Sequence, residues 1–207
     1  MKPTQTYEAV VFDLLTALLD SWSLWNAVAG SDAAGLAWRR QYLALTYREG
    51  AYRPYESLVR RAAEQSGTPA DCAERLIARW PELTPWPEAP EVLRTLAERV
   101  PLGIATNCSQ QLGQIAARCS GGTFAVVATA ESVGYYKPRP EPYRAVLARL
   151  GTDPARTLFV AGSAADVPGA KGVGMPVYWH NRMNLAPLDG ARPDFSERSL
   201  HRLLELV

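Results

Sequence analysis

The segment that most constrains the fold is residues 8–20, EAVVFDLLTALLD, in which an apolar run ends on a carboxylate. The run at 9–12 is short and contains β-branched and aromatic side chains, which is typical of a buried strand. In an open parallel sheet, ligands bind in the crevice outside the carboxyl ends of the strands. Asp13 is therefore expected at the edge where a ligand binds, although an Asp in this position can also cap the element that follows it.

Composition excludes several classes of protein. The 207 residues are 47% hydrophobic and 21% charged, as in an ordinary globular protein, and the formal net charge is +1. Such a balance lacks the electrostatic footprint of a nucleic-acid or anionic-membrane binder, and no apolar run approaches the ~18 residues of a membrane span. We expect a cytoplasmic protein that binds a small neutral or acidic molecule. The three cysteines, without a Cys-x-x-Cys pair, suggest neither a disulfide framework nor a zinc site.

Hydrophobic periodicity divides the chain into two parts. Residues 21–79 have a helical pattern, and four prolines between positions 81 and 90 predict a stiff linker outside the core. From residue 91 onwards helical and strand patterns alternate, which is typical of βαβ units. Strands are predicted at 102–105, 124–128, 157–161 and 176–179, and helices at 91–99, 109–118, 141–150, 166–173 and 196–207. The sequence thus predicts an α/β fold: a doubly wound parallel sheet in a core domain of residues 1–20 and 87–207, with an inserted helical cap domain and its hinge at 21–86.

Polar side chains follow the other predicted strands as well. They are Thr106, Asn107, Lys137, Ser163 and Asp166. If the strands are parallel, these groups converge with Asp13 at one edge of the sheet. Carboxylates, a hydroxyl and an amine in one place suit covalent catalysis. In the insertion an apolar wall for a small substrate is predicted from aromatic side chains, which are also typical of packing: Trp22, Trp25 and Tyr55.

The order of the motifs resembles that of the haloacid dehalogenase superfamily. The motifs are VVFD at 10–13, ATN at 105–107, YKP at 136–138 and the segment that ends at Asp166, with a helical insertion after the first. The Trp38-Arg39 pair, Tyr143 and the segments 179–182 and 193–195 are similar to the L-2-haloacid dehalogenase branch. The resemblance covers nearly the whole chain. It implies a haloacid dehalogenase-like core with a cap, and a homodimer.

Two departures from the superfamily argue against phosphoryl transfer. The phosphatases of the superfamily use a second Asp two residues after the nucleophile, where this chain has Leu15, and a further acidic residue where it has Gly162. Mg²⁺ requires hard oxygen ligands, and phosphoryl transfer depends on it to neutralise developing charge. We therefore expect no metal and no other cofactor, and a phosphatase is disfavoured.

The resemblance implies an attack on carbon instead. Asp13 would displace halide from a short L-2-haloacid, at the carbon beside the carboxylate, to give an aspartyl ester that water hydrolyses. Lys137 would keep Asp13 ionised, and Arg39 would receive the leaving anion. The adjacent Arg40 competes for this role, but neighbouring residues on a helix point about 100° apart, so only one faces the cleft.

Further roles also follow from the resemblance. Thr106 and the Asn107 backbone would hold the substrate carboxylate. Asp166 would orient Lys137 or the hydrolytic water, and the Tyr143 hydroxyl would join the same network.

The floor of the expected pocket departs from the branch. Leu15 replaces an aromatic residue, Ala17 replaces a Thr that bonds to the nucleophile, and Ala161 and Ser163 replace a Ser and an Asn that line the leaving-group and water site. Thr16, displaced by one residue, could replace one hydroxyl, but it would face a different direction if this turn is ordinary. Two alternatives therefore stay open: ring opening of a small cyclic carboxylate, such as azetidine-2-carboxylate or an epoxide, and a non-catalytic member of the fold.

Overall fold

A parallel β-sheet forms the centre of the computed structural model, which describes residues 7–207. Within these residues the sheet has six strands in the order β3-β2-β1-β4-β5-β6, and every neighbouring pair is parallel. The strands are β1 (Ala9–Phe12), β2 (Leu102–Thr106), β3 (Val126–Thr129), β4 (Thr157–Ala161), β5 (Val177–His180) and β6 (Phe195–Glu197). The predicted doubly wound α/β class is confirmed.

The central strand β1 is buried on both faces because its side chains alternate between two apolar layers. Val10 and Phe12 belong to a layer that includes the helix at Ala89–Ala97, whereas Val11 packs in a layer with Tyr143 and Phe159. Burying each such side chain stabilises the fold by about 1.5–3 kcal/mol. The sheet therefore holds the carboxyl end of β1 in a fixed position.

Ten α-helices accompany the sheet in residues 7–207. They are α1 (Ser21–Ala29), α2 (Asp32–Glu49), α3 (Tyr55–Ser66), α4 (Cys72–Ala78), α5 (Ala89–Ala97), α6 (Gln110–Cys119), α7 (Ala130–Val133), α8 (Pro140–Leu150), α9 (Asp166–Gly172) and α10 (Leu203–Leu206). The inserted helices, α1–α4, follow β1 directly. The Ser31 hydroxyl caps α2 by accepting from Ala34 N, and α2 ends before Gly50. No helix of residues 7–207 has both the length and the apolar character to cross a membrane.

The two chain segments that join the inserted helices to the sheet run side by side. Asp20 N donates to Thr84 O at 2.8 Å, and Trp86 N donates to Leu18 O at 2.9 Å. The prediction of a proline-rich linker outside the core is wrong, because Leu83 and Trp86 are buried in the main apolar cluster. The prolines stiffen the segment, while the large side chains between them pack inwards.

The C-terminal segment also differs from its prediction. Residues 196–207 do not form one helix: Phe195–Glu197 is the edge strand β6, and α10 spans only Leu203–Leu206. Ser196 lies opposite Trp179 in the parallel ladder, so pairing with the sheet prevails over the local helical pattern. The strand predicted at 124–128 is displaced as well, since β3 begins at Val126 and ends at Thr129.

Candidate active site

The turn that follows β1, residues 13–17, carries the central carboxylate and is here called the β1 turn. Asp13 N donates to Val160 O on the neighbouring strand at 2.9 Å. The Thr16 hydroxyl donates to Asp13 Oδ2 at 2.9 Å, and Thr16 N approaches the same oxygen at 3.4 Å. The expectation that Thr16 would face a different direction is wrong, because the turn closes back on its own carboxylate.

Neighbouring elements hold the far end of the β1 turn. Trp86 Nε1 donates to Thr16 O at 3.0 Å, and His180 Nδ1 lies 2.8 Å from Ala17 O. Gly162, just after β4, approaches the turn so closely that a Cβ there would overlap Thr16 Oγ1 and Ala17 N. The backbone that positions Asp13 therefore has little room to move.

Lys137 lies between two buried carboxylates. Its Nζ donates to Asp13 Oδ1 at 2.8 Å and to Asp166 Oδ2 at 3.1 Å. The three residues are 1%, 8% and 2% exposed, respectively. One ammonium and two carboxylates thus share a space from which water is largely excluded, where their interactions are stronger than at the surface.

The shared ammonium affects the two carboxylates differently. Burial alone would raise the pKa of Asp13, but the Lys137 charge and the hydrogen bonds from Lys137 and Thr16 outweigh burial, so this pKa lies below its usual value. Burial raises the pKa of Asp166 to about 6, and the Asp13 charge adds to the rise that Lys137 opposes. Burial acts to lower the pKa of Lys137, yet both carboxylates raise it above its usual value. Near neutral pH Asp13 is therefore ionised and Lys137 protonated, whereas Asp166 is a base of moderate strength.

A cavity of about 80 Å³ opens onto this group. Its lining comes from both the carboxyl edge of the sheet and the inserted helices. The lining residues are Asp13, Leu15, Thr16, Trp22, Arg39, Tyr42, Leu43, Tyr47, Thr106, Asn107, Lys137, Gly162, Ser163, Asp166 and Leu185. The cavity has room for a molecule of only a few heavy atoms.

Arg39 brings a second cation to the cavity from α2. Its Nη1 donates to Ser21 Oγ at 2.9 Å, and its guanidinium lies 4.1 Å from the centre of the Trp22 ring. Ser21 in turn donates to Leu15 O, which links the guanidinium to the β1 turn. Arg39 is 5% exposed, whereas Arg40 is exposed on the outer side of the helix. The structure therefore directs Arg39, and not Arg40, into the cleft.

The site combines a buried carboxylate at the end of β1, an ammonium that holds it, and helices inserted directly after β1. The family model for haloacid dehalogenase-like hydrolases matches residues 7–174. The chain belongs to this family. The haloacid dehalogenase-like assignment and the hydrolase class predicted from the motifs are confirmed.

Proteins similar to this haloacid dehalogenase-like hydrolase include haloacid dehalogenases. Haloacetate dehalogenase H-2 of Moraxella sp. (strain B) is 30% identical, with 97% of each chain covered. An (S)-2-haloacid dehalogenase of Pseudomonas sp. (strain YL) is 28% identical over 96% of this chain and 94% of its own. A solved L-2-haloacid dehalogenase of Xanthobacter autotrophicus, with chloropropionic acid covalently bound, is 26% identical and has a TM-score of 0.83, with 97% of this chain and 98% of its own covered. These relatives confirm the resemblance to the L-2-haloacid dehalogenase branch.

Three residues predicted for the site lie outside the cavity lining. The Tyr143 hydroxyl donates to the backbone oxygen of Asp166 at 3.2 Å, and its ring packs edge-on against Phe159. Trp25 and Tyr55 are fully buried and pack against Tyr42. Tyr143 thus supports the loop that carries Asp166, and the two cap aromatics support the wall behind the cavity.

Two further predicted residues line the cavity and have partners of their own. Thr106 Oγ1 lies 3.3 Å from Cys108 Sγ. The Asn107 side chain binds the Lys137 backbone twice, since its Nδ2 donates to Lys137 O at 3.1 Å and its Oδ1 accepts from Lys137 N at 2.7 Å. The Asn107 side chain therefore fixes the loop that presents the ammonium, a contact that the sequence did not reveal.

Sequence reasoning missed several other lining residues. They are Tyr42, Leu43, Tyr47, Gly162 and Leu185. Spacing could have found part of this set, because Leu43 and Tyr47 follow Arg39 at intervals of four and so share its face of α2. Leu185 lies in the long segment between β5 and β6, where no periodicity predicts which side chain turns inwards.

The donor set does not fit the magnesium ion that other members of the superfamily use. Within residues 7–207 no three His, Cys, Asp or Glu side chains group closely enough to hold a metal ion. The ammonium of Lys137 already bridges the two carboxylates, and the apolar Leu15 and the Gly162 backbone supply no further carboxylate.

Proposed function

We propose that this protein hydrolyses a short L-2-haloacid through an ester on Asp13, without a metal ion. The observation that carries the proposal is the placement of Lys137 Nζ at 2.8 Å from Asp13 and 3.1 Å from Asp166, beside a cavity that Arg39 of α2 also lines. A carboxylate kept ionised by an adjacent cation is an activated nucleophile. The cap domain and the site roles that the resemblance implies belong to this proposal, and so does the homodimer.

In the first step, an Asp13 oxygen attacks the carbon that carries the halogen. The new carbon–oxygen bond forms as the carbon–halogen bond breaks, and the electron pair of that bond leaves with the halide. The guanidinium of Arg39 receives this anion, because it is buried, cationic and has an Nε without a hydrogen-bond partner in residues 7–207. The substrate carboxylate lies against Thr106 and the Asn107 backbone.

In the second step, water attacks the carbonyl carbon of the Asp13 ester. Asp166 accepts a proton from this water, a task that suits a carboxylate whose pKa is raised by burial. The carbon–oxygen bond between the Asp13 carbonyl and the substrate then breaks, the departing oxygen takes up a proton, and the 2-hydroxy acid leaves. The sum of both steps is haloacid plus water giving hydroxy acid, halide and a proton.

The substrate class is supported by size, charge and the relatives. A cavity of about 80 Å³ admits a small acid, and the two cations Lys137 and Arg39 suit a carboxylate with a departing anion. Among similar proteins, one is named for haloacetate and another for (S)-2-haloacids. The chloropropionic acid bound covalently in the Xanthobacter autotrophicus relative supports the ester route.

A second candidate reaction uses the same nucleophile. Ring opening of azetidine-2-carboxylate or a small epoxide releases no free halide and so needs no halide pocket. It is favoured by one observation: Ala161, where the branch has a polar residue, packs in an apolar cluster, and only Ser163 of the pair lines the cavity.

A direct test compares halide release and ring opening in matched variants. With L-2-chloropropionate we expect the unmodified enzyme to release chloride, and Asp13→Asn to lose several orders of magnitude in kcat, because the amide is a poor nucleophile. Asp189→Asn, an exposed residue outside the cavity lining, is the control and should keep full activity.

The outcome assigns the substrate class. Ring opening of azetidine-2-carboxylate without chloride release from chloropropionate would favour the second candidate. Asp13→Asn turning over at the rate of the unmodified enzyme would contradict both reactions.

A further inference from the structure

One face of α2 carries two polar groups into the cavity, separated by an apolar one. Arg39, Leu43 and Tyr47 are spaced by four residues and all line the cavity. With a rise of 1.5 Å per residue, the first and last lie about 12 Å apart along the helix axis. The helix therefore presents a cation and a phenol to the same cavity, about two turns apart.

The phenol of Tyr47 reaches the loop that follows β4. Its hydroxyl donates to Ser163 Oγ at 3.3 Å, and Ser163 precedes Asp166 by three residues. Burial raises the pKa of Tyr47, and the Asp166 charge adds to the rise. The phenol therefore stays protonated near neutral pH and can donate one hydrogen bond and accept another.

The Asp166 side chain lines the cavity together with Ser163. Its Oδ2 accepts from Lys137 at 3.1 Å, and the Tyr143 hydroxyl, which donates to Asp166 O, also interacts with the carboxylate. A carboxylate has about four lone-pair positions, so these donors leave room for a water in the cavity. A base needs such a free lone pair to take a proton from water.

We propose that Tyr47 Oη and Ser163 Oγ together hold the water that hydrolyses the Asp13 ester, with Asp166 as its base. This inference rests on the proposed function and assigns its second step. The water would accept from one hydroxyl, donate to a free lone pair of Asp166, and direct an oxygen lone pair at the ester carbonyl. Its proton passes to Asp166 while its oxygen bonds to the carbonyl carbon of Asp13.

Electrostatics argue against a role for Tyr47 at the leaving group. A departing halide is repelled by Asp166, which lies near Tyr47 and Ser163, and is attracted by Arg39, two turns away from Tyr47 on α2. A neutral water has no such preference. Tyr47 is therefore assigned to the second step and Arg39 to the first.

The test separates the two steps by rapid quenching. With Tyr47→Phe and L-2-chloropropionate we expect one equivalent of chloride per active site to be released at the rate of the unmodified enzyme. The ester should then accumulate, and its hydrolysis should slow by up to about 100-fold because the attacking water is misplaced. Mass spectrometry of the peptide that contains Asp13 would detect the adduct.

Two matched variants complete the design. Tyr135→Phe removes a phenol outside the cavity lining and should hydrolyse the ester like the unmodified enzyme. Ser163→Ala removes the other hydroxyl and should also accumulate the ester, so the inference stays testable even if Tyr47→Phe fails to fold.

Contrary outcomes fall into two groups. If the unmodified enzyme releases chloride through an Asp13 ester but Tyr47→Phe hydrolyses the ester equally fast, or slows only chloride release, the Tyr47 inference is overturned and the proposed function stands. If the unmodified enzyme forms no Asp13 ester, both are overturned.

Discussion

Two carboxylates share one ammonium in this site, yet their surroundings give them different tasks. Asp13 accepts from Lys137 on one oxygen and from Thr16 on the other, which favours its charged form. Asp166 accepts from Lys137 at the longer distance of 3.1 Å and is more deeply buried. Pairs of acids whose environments move their pKa values apart are suited to separate roles. We assign the nucleophile to Asp13 and the base to Asp166.

This division predicts two different pH dependences. Asp166 can accept a proton only while it is ionised. Burial raises its pKa to about 6 while Asp13 is charged, and esterification removes the Asp13 charge, so ester hydrolysis should slow as the pH falls below about 6. The first step depends on Asp13, whose pKa lies below its usual value, so chloride release should persist to lower pH. Quenched single turnovers at a series of pH values measure both rates. If chloride release and ester hydrolysis slowed over the same pH range, the assignment would be contradicted.

At the residue scale, the sequence predicted which side chains carry the chemistry better than it predicted the contacts between them. Asp13, Lys137 and Asp166 were predicted because each follows a strand of a parallel sheet, and the topology alone brings such residues together. Thr16 was considered as a replacement hydroxyl, but in an ordinary turn its displacement by one residue would direct it away from Asp13. The bond between its hydroxyl and Asp13 depends on the backbone path of the turn, which local sequence does not specify.

At the scale of elements, the contact between the β1 turn and the end of β4 explains why Gly162 stands where the superfamily has an acidic residue. The backbone of Gly162 does not require glycine, because its φ is not in the left-handed region. What requires glycine is space, since a Cβ would overlap Thr16 Oγ1 and Ala17 N. The same substitution thus removes a metal ligand and admits the hydroxyl that orients Asp13.

Gly162→Ala should therefore displace the β1 turn. We expect a loss of about 1–3 kcal/mol in the free energy of unfolding, as for other overpacked sites, together with a fall in kcat because Asp13 moves with the turn. Gly172→Ala, at the end of α9 with nothing within 4 Å of the added Cβ, is the control and should be neutral or stabilising by up to about 1 kcal/mol. Urea unfolding and steady-state kinetics on both variants would decide. Wild-type stability and kcat in Gly162→Ala would contradict the role of this contact.

The prediction of secondary structure failed where packing against distant residues prevails over the local hydrophobic pattern. Residues 196–207 have helical spacing, but the chain gains more by adding β6 to the sheet edge beside β5. The proline-rich segment was similarly taken as a linker, although Leu83 and Trp86 are buried. In both cases the deciding interaction is with residues distant in sequence, which periodicity cannot detect.

At the scale of the whole molecule, the inserted helices complete a site that the sheet begins. Segments at the carboxyl edge of the sheet supply Asp13, Lys137 and Asp166, while α2 supplies Arg39 and Tyr47. The paired segments around Leu19 and Pro85 form the connection between the two parts. We propose that these segments act as the hinge of a cap whose closure excludes bulk water during the attack on carbon.

The central claim is that Asp13 is transiently esterified, and isotope labelling in a single turnover tests it most directly. Excess enzyme would react with L-2-chloropropionate in ¹⁸O-labelled water in the presence of EDTA, followed by mass spectrometry of the Asp13 peptide and the product. Water that attacks the ester carbonyl places its oxygen in Asp13, so we expect one ¹⁸O in this carboxylate and an unlabelled hydroxyl in the lactate. Label in the lactate hydroxyl with Asp13 unlabelled would show direct attack by water on the substrate and contradict the ester mechanism.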